Sequence, residues 1–239
     1  MIYFSKHKRS TQEELMDDFS LQGESLQEVL TDLETVNKYL GGNQITINGL
    51  EKMLLGCDKN HAVTIVDYGC GDGGSMALCA AYLEKHDWQY HLVGVDANAY
   101  IIEQAKTKGH SLKHSTFKVC NVFDKEKLPE ADIALCTLFL HHFKEAQIIE
   151  LLNAIATKTK VGIVINDLQR SRTAFRLFQL FSKVFMNSKI AKFDGLVSIA
   201  RSFVKSDIKN ISEKIIGTRV ELKSKWAFRW QWLLYTGKV

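Results

Sequence analysis

The chain has 239 residues, of which 46% are hydrophobic and 24% are charged. This balance is typical of a globular domain and excludes a disordered or fibrous protein. The net charge of +4 is too small to indicate a nucleic-acid-binding protein. No apolar run approaches the roughly 18 residues of a membrane span, and the amino terminus lacks the pattern of a secretory signal. The five cysteines show no zinc-binding spacing, so we expect a cytoplasmic domain with reduced thiols and no metal.

Helical spacing comes first along the chain. In residues 11–55, leucine and valine recur at intervals of three and four, which predicts helices that cap a core domain. Short β-branched strands then alternate with helices, a pattern typical of a parallel sheet covered on both faces. The predicted strands are Val63–Tyr68, His91–Val95, Phe117–Val119, Ile133–Thr137 and Val161–Asn166. The helices predicted between them are Ser75–Lys85, Tyr100–Lys108 and Lys144–Thr157.

The last third of the chain is basic, with 13 Lys or Arg residues against 4 Asp or Glu residues between positions 170 and 225. The segment Arg172–Met186 has a wide apolar face that includes Phe175 and Phe178. This face predicts either a helix that packs on the core or an aromatic wall for a lipophilic substrate. A basic amphipathic helix also suits a membrane surface. Residues 219–225 and 228–235 alternate in polarity, so we expect an antiparallel hairpin at the edge of the sheet.

A glycine-rich turn follows the first predicted strand. Gly69, Gly71 and Gly73 permit a tight turn and a close approach of a ligand to bare backbone. Asp96 ends the second strand, 22–25 residues after this turn. A carboxylate at that place accepts hydrogen bonds from both ribose hydroxyls of an adenosine, although an N-cap of the next helix is the alternative.

The turn also satisfies the dinucleotide pattern G-x-G-x-x-G through Gly69, Gly71 and Gly74. Asp67, just before the turn, argues against a dinucleotide because an acid favours a cationic ligand over a pyrophosphate. The sequence has no Tyr-x-x-x-Lys pair, no phosphate-binding G-x-x-x-x-G-K-[ST] motif and no pattern of a second catalytic domain. An NAD-dependent oxidoreductase is therefore disfavoured.

The run from Asp67 to Gly73, with Cys70 between the glycines, resembles the first motif of class I S-adenosylmethionine (SAM)-dependent methyltransferases. The resemblance extends to about residue 167 and includes the closing hairpin. It implies a Rossmann-like α/β fold with a seven-stranded, mostly parallel sheet and an antiparallel last strand. It also implies SAM as the cofactor, with the acid and the glycines at its methionine end.

The resemblance assigns further cofactor contacts. Asp96 would hold the ribose, and Ala97 and Asn98 would flank the adenine. Members of the family usually place an acid near the adenine amino group after the third strand. Here Asn121, followed by Val122, takes that place, and its amide oxygen can still accept a hydrogen bond. Asp124 is the alternative.

The stretch after the fourth strand resembles quinone-biosynthesis-type members, in which the backbone at the positions of Cys136 and Thr137 lines the methyl-transfer channel. His141 and His142 follow at the mouth of this channel. An imidazole with a pKa near ~6.5 suits removal of a hydroxyl proton, so we predict a catalytic base here and prefer His142. The alternative is that one histidine caps a helix or bonds to the backbone.

Three further charged residues are candidates for the acceptor end. Asp167 follows the fifth strand, where ligands gather in such sheets, and is predicted to orient the substrate. Metal binding is the disfavoured alternative, because a catalytic metal needs several clustered oxygen ligands and Asp167 is one good candidate. Arg170 is predicted either to pair with an acidic group of the substrate or to form a salt bridge. Arg201, together with Asp194 and Ser198, is predicted to roof the active site, and the alternatives are a helix cap and a surface ion pair.

A second likeness is to bacterial methyltransferases of polyketide and phenolic-lipid pathways, carried by residues 14–18, 32–33, 40–42, 166–171 and 194–203. We therefore predict methyl transfer to a small hydrophobic, aromatic or polyketide-like acceptor, with O-methylation preferred over C-methylation. The alternatives are a nucleic-acid methyltransferase, motivated by the basic last third, and a non-catalytic SAM-binding protein. The predicted single domain consists of a helical cap (1–60), a SAM-binding core (61–170), a helical lid (171–205) and a last helix with the closing hairpin (206–239).

Overall fold

The computed structural model describes residues 2–18, 23–108 and 112–237, with the backbone alone for Lys38. Its centre is a seven-stranded sheet with the order β3-β2-β1-β4-β5-β7-β6. The strands are β1 Val63–Tyr68, β2 Tyr90–Asp96, β3 Ser115–Val119, β4 Ala131–Thr137, β5 Thr159–Leu168, β6 Arg219–Lys225 and β7 Arg229–Tyr235. β1 to β5 pair in parallel, whereas β7 runs antiparallel to both β5 and β6. The predicted fold class is confirmed.

Two helical layers cover the sheet. The helices are α1 Gly23–Tyr39, α2 Gly42–Leu54, α3 Gly74–Lys85, α4 Ala99–Lys108, α5 Glu145–Lys158, α6 Arg172–Phe185, α7 Lys189–Arg201 and α8 Lys205–Ser212. One core cluster contains buried residues of α5 and α8, and the other contains buried residues of α2 and α3. The strands β1, β4 and β5 between these layers are buried on both faces, as the near-continuous apolar runs predict.

A third hydrophobic cluster joins the amino-terminal part of the chain to the segment after β5. It contains buried residues of α1, α6 and α7 together with Phe4 and Met16. The approach of α6 to α7 depends on Gly195, because a Cβ there would meet the Phe178 ring at 2.3 Å. We call this assembly of residues 2–18, α1, α6 and α7 the cap.

The prediction of helix from residue 11 is wrong for residues 11–14, since the first helical turn there is the 3₁₀ helix Leu15–Asp17. This segment instead bonds to α7. The Ser10 amide donates to the Ala200 carbonyl at 2.9 Å, and the Asp194 carboxylate accepts from the Leu15 and Met16 amides at 2.7 and 2.9 Å. Long-range bonds therefore replace the internal bonds of a helix. Within the described residues, no helix is long and apolar enough to cross a membrane.

Candidate cofactor and acceptor site

The glycine turn between β1 and α3 has the backbone that the sequence predicts. Gly69, Gly71 and Gly73 have φ values of 73°, 54° and 85°, in the left-handed region that favours glycine. A Cβ on Gly69 would lie 2.2 Å from the Phe139 ring, so that side chain packs directly on the turn. A Cβ on Gly71 would meet no described atom within 4 Å. The turn is thus closed at its first glycine and open at its second.

Two carboxylates lie under this turn. Asp67 is 2% exposed, and neither of its oxygens has a hydrogen-bond partner among the described residues. Burial, and then the charge of Asp96, raises the pKa of Asp67 to about 7. Asp96 is held at the end of β2, because its carboxylate accepts from the Gly71 amide at 3.2 Å and the Asn98 amide at 2.9 Å. Burial also raises the pKa of Asp96.

The residues expected around the adenine differ in their exposure and in the hydrogen bonds that they already make. Asn98 is buried, and its side-chain oxygen accepts from the Tyr100 and Ile101 amides at the start of α4. Asn98, not Asp96, therefore caps the helix through its side chain. Ala97 is exposed and Val122 is buried. The exposed Asn121 accepts from the Phe123 amide at 3.0 Å, and Asp124 pairs with Lys127 at 2.6 Å.

The floor of the predicted methyl channel is polar on one side. Cys70 and Cys136 are buried thiols that form no disulfide. Thr137 ends β4, and its hydroxyl lies 3.1 Å from the Thr46 hydroxyl of α2. The Asn166 amide donates to Thr46 as well, at 2.9 Å. The start of α2 therefore lies over the carboxyl ends of β4 and β5.

His141 lies between two carboxylates and is 3% exposed. Its Nδ1 lies 2.7 Å from Asp167 Oδ1, and its Nε2 lies 3.5 Å from Glu14 Oε1. Burial opposes a charge on the ring, but Asp167 and Glu14 outweigh burial and raise the pKa of His141 to about 9. Burial alone would raise the pKa of Asp167, but the charge on His141 and the hydrogen bond from it lower that pKa. His141 is therefore an imidazolium near neutral pH.

His142 is more accessible, with 20% of its side chain exposed. Its Nδ1 lies 2.8 Å from Asp17 Oδ1, and its Nε2 lies 3.9 Å from Glu14 Oε2. The two histidine rings lie against each other, with centroids 4.4 Å apart. A protonated His142 would lower the pKa of Asp96, so this cluster lies within electrostatic reach of the cofactor turn.

Two arginines hold the backbone of the histidine pair. Arg201 donates through Nε to the His141 carbonyl at 3.1 Å and through Nη2 to the His142 carbonyl. Its Nη1 lies 3.2 Å from Asp17 Oδ2. Arg9 donates to the His141 carbonyl at 3.0 Å and to the Arg201 carbonyl at 2.6 Å. Arg201 thus forms an ion pair, which is one of its predicted alternatives, but the arginine itself is buried, with only 7% exposed.

Arg170 forms a salt bridge, which is one of its two predicted roles. Its guanidinium lies 2.8 Å from Asp207 Oδ2 and donates to the Ser202 carbonyl at 2.6 Å. Phe178 is buried in the cap, and Phe175 packs on Phe4 with ring centroids 5.1 Å apart. These contacts fit the interpretation of α6 as a helix that packs on the rest of the molecule.

Sequence reasoning missed several functional candidates. Glu14 and Asp17 belong to a motif that the sequence singles out, but nothing local assigns them to the histidines. Arg9 lies in a run of basic residues without a pattern. Arg229 is 1% exposed, and its Nε and Nη1 have no partner among the side chains and backbone that the structure describes. Its one signal is a charge at the start of a mostly apolar strand.

Residues 65–162 match a family model described as a methyltransferase domain. The matched segment is 98 of the 239 residues of the chain. This match confirms the resemblance to SAM-dependent methyltransferases that the glycine motif indicates, and with it SAM as the cofactor. No curated protein matches the sequence.

Solved methyltransferase structures share this fold at low sequence identity. A plantazolicin methyltransferase in complex with S-adenosylhomocysteine (SAH) superposes with a TM-score of 0.63 at 15% identity, over 86% of this chain and 89% of that one. Magnesium protoporphyrin IX methyltransferase from Synechocystis, with bound SAM, has a TM-score of 0.54 at 14% identity, over 92% and 88%. A candidate O-methyltransferase from Nostoc punctiforme has a TM-score of 0.57 at 16% identity, over 82% of this chain. This chain spans only 56% of the Nostoc protein.

Proposed function

We propose that this methyltransferase domain transfers the methyl group of SAM to a small hydrophobic acceptor with an aromatic or polyketide-like structure. O-methylation is favoured over C-methylation. The observation that carries the cofactor assignment is Asp67, a buried carboxylate without a partner among the described residues, beneath a turn that is open at Gly71. An unpaired buried charge is costly, and a cationic ligand next to it removes that cost.

The residues at the turn have separate tasks in this proposal. Asp96 accepts from the Gly71 and Asn98 amides, and a carboxylate has further lone pairs that can accept from the ribose hydroxyls. Asp67 provides negative charge for the cationic methionine end. Asn121 and Ala97, both exposed, border the adenine. When bound, SAM supplies a methyl group that is activated by attachment to a sulfonium.

The histidine cluster prepares the acceptor. A hydroxyl must lose its proton as its oxygen becomes the nucleophile, and an imidazole within hydrogen-bond reach can take that proton. His142 fits this task, because Asp17 accepts from its Nδ1 and leaves the lone pair on Nε2. His141 carries a positive charge beside this site and stabilises the negative charge that develops on the acceptor oxygen.

The cap is consistent with a hydrophobic acceptor that is collected from a lipid surface. Leu177, Leu180 and Val184 are exposed on α6 by 48%, 62% and 74%, and they form one stripe at helical spacing. Arg176 and Lys183 lie beside this stripe and are exposed as well. A basic helix with an exposed apolar stripe can rest on an anionic membrane through both kinds of contact.

The experiment that tests the function measures binding and transfer separately. Isothermal titration calorimetry with SAM and SAH should show one site per chain. Asp96→Asn should weaken binding at least tenfold, because the lost charged hydrogen bonds contribute about 1.5–3 kcal/mol. Asp58→Asn makes the same change of charge at an exposed residue before β1 and should leave affinity unchanged.

Transfer is then followed with methyl-labelled SAM against a panel of phenols, hydroxylated polyketide fragments and β-dicarbonyl compounds. Label on phenol oxygen supports O-methylation, whereas label on carbon of a β-dicarbonyl compound overturns that preference. Salt-sensitive transfer to RNA or DNA alone would contradict the small-molecule assignment. Binding of SAM without any transfer would favour a non-catalytic role.

A further inference from the structure

We propose that Glu14, His141 and His142 form a binding site for a divalent transition-metal ion. One ligand atom from each residue lies within 4.8 Å of those of the other two. Glu14 Oε1 lies 3.5 Å from His141 Nε2, and Glu14 Oε2 lies 3.9 Å from His142 Nε2. Both imidazoles therefore direct the same ring nitrogen toward one carboxylate.

The other ring nitrogen of each histidine, Nδ1, lies next to a carboxylate, as is usual for histidines that bind a metal. His141 Nδ1 lies 2.7 Å from Asp167, and His142 Nδ1 lies 2.8 Å from Asp17. A histidine that binds a metal usually donates its other N–H to a carboxylate, which fixes the tautomer and the ring orientation. Two adjacent histidines that both have such a partner, and that both face a third carboxylate, present a preorganised set of ligands.

The Glu14 carboxylate provides a second and independent observation. Glu14 is 4% exposed, and its Oε1 accepts no hydrogen bond of normal geometry among the described residues; its contact with His141 Nε2 is an ion pair at 3.5 Å. A buried carboxylate normally accepts hydrogen bonds of good geometry, so a carboxylate that faces two imidazole nitrogens at 3.5 and 3.9 Å indicates a missing ligand between them. A metal ion would take the place of the proton between Glu14 and the rings.

The surrounding structure keeps the ligands in place. The histidines lie in the 3₁₀ helix Leu140–His142, and Arg201 donates to both of their carbonyl groups. Asp194 binds the amides of Leu15 and Met16 and so fixes the segment that carries Glu14. The ligands thus come from the core and from the cap, and a bound ion would link the two.

The donor set indicates the chemical class of the ion. Two imidazole nitrogens and one carboxylate suit Zn²⁺, Co²⁺ or Fe²⁺ better than Mg²⁺ or Ca²⁺, which prefer oxygen ligands. Three protein ligands leave a coordination position open for another molecule. The role of the ion rests on the proposed function. An acceptor hydroxyl bound at the open position would release its proton to water more readily, and its oxygen would become the nucleophile. His142 would then act as a ligand instead of a free base.

The test uses the whole chain, free of any affinity tag, stripped of metal with a chelator and equilibrated with Zn²⁺ or Co²⁺. Elemental analysis should show one tightly bound ion per chain, and Co²⁺ should give a visible absorption spectrum of a low-coordinate nitrogen and oxygen site. Glu14→Gln and His142→Ala should each weaken binding more than 100-fold. Asp17→Asn, which removes only the partner of His142, should weaken it about 10–100-fold.

Matched controls are Glu13→Gln, an exposed neighbour of Glu14, and His86→Ala, an exposed histidine at the end of α3. Both should bind the ion as the wild type does. Equal binding by wild type, Glu14→Gln and His142→Ala, or no bound ion in the wild type, overturns the metal site. His142 is partly exposed, so His142→Ala keeps the test valid if Glu14→Gln fails to fold.

The metal proposal and the methyltransfer proposal fail in different ways. SAM affinity is measured on the same samples. A protein that binds the ion but no SAM contradicts the proposed function and leaves the metal site standing. A metal-free protein that binds SAM and transfers methyl groups at the full rate retains the function and overturns the metal site's role.

Discussion

Replacement of the buried Asp67 by asparagine should increase the stability of the free protein, relative to that of the wild type, as pH rises. The pKa of Asp67 is about 7 in the folded protein against an ordinary value of 3.8. The unfolded chain therefore loses this proton at a lower pH than the folded one does. Between these two values the folded state binds more protons, and stability falls as pH rises.

The magnitude follows from the same pKa. Each pKa unit corresponds to about 1.36 kcal/mol, so the two units between pH 5 and pH 7 amount to roughly 2.7 kcal/mol. Asp67→Asn removes this loss, because the amide does not titrate. The difference in free energy of unfolding between variant and wild type should therefore increase by about 2–3 kcal/mol from pH 5 to pH 8. A constant cost of the buried amide cancels in this comparison.

Urea denaturation of both proteins at pH 5, 6, 7 and 8 measures the effect. Asp58→Asn, an exposed substitution with the same change of charge, should show no such increase. In the wild type, SAM affinity should rise over this range, because a cationic ligand favours the ionised Asp67; the variant should lose this dependence. A stability difference that stays constant with pH would show that Asp67 is already paired and would refute the reasoning.

Three further predictions concern the turn, the cap and α6. Gly71→Ala should lower the free energy of unfolding by about 1–2 kcal/mol, because alanine is strained in the left-handed region. Calorimetry should show that this variant binds SAM at least tenfold more weakly. The control Gly217→Ala, with a similar φ of 71° and equally open space, should lose only stability. Arg201→Leu should lower the free energy of unfolding by about 3 kcal/mol, because it removes the arginine donor to the His142 carbonyl and one of the two arginine donors to the His141 carbonyl. An unchanged urea midpoint would contradict this. Leu180→Asp should reduce sedimentation with phosphatidylserine vesicles without changing SAM affinity, while Thr173→Asp, exposed on the same helix, should have a smaller effect. Absence of vesicle binding by the wild type would remove the membrane assignment.

The sequence predicts those features of this protein that depend on residues close together along the chain. The strands, the glycine turn and Asp96 follow from apolar runs, from backbone freedom and from a spacing of 22–25 residues. The hairpin β6–β7 follows from alternating polarity, and its antiparallel place beside β5 agrees with the resemblance. Each of these signals lies within one strand-turn-helix unit, where the chain itself brings the partners together.

The partners of the two histidines are determined by the tertiary structure. His142 meets Asp17 across 125 positions of the chain, and His141 meets Asp167 across 26. The sequence indicates that both histidines are candidates, yet it does not distinguish the buried imidazolium from the more accessible ring. Their surroundings depend on the cap, which brings Glu14, Asp17 and Arg201 to the carboxyl ends of the strands. A buried charge takes the partner that the folded chain places within reach, and no local pattern specifies that partner.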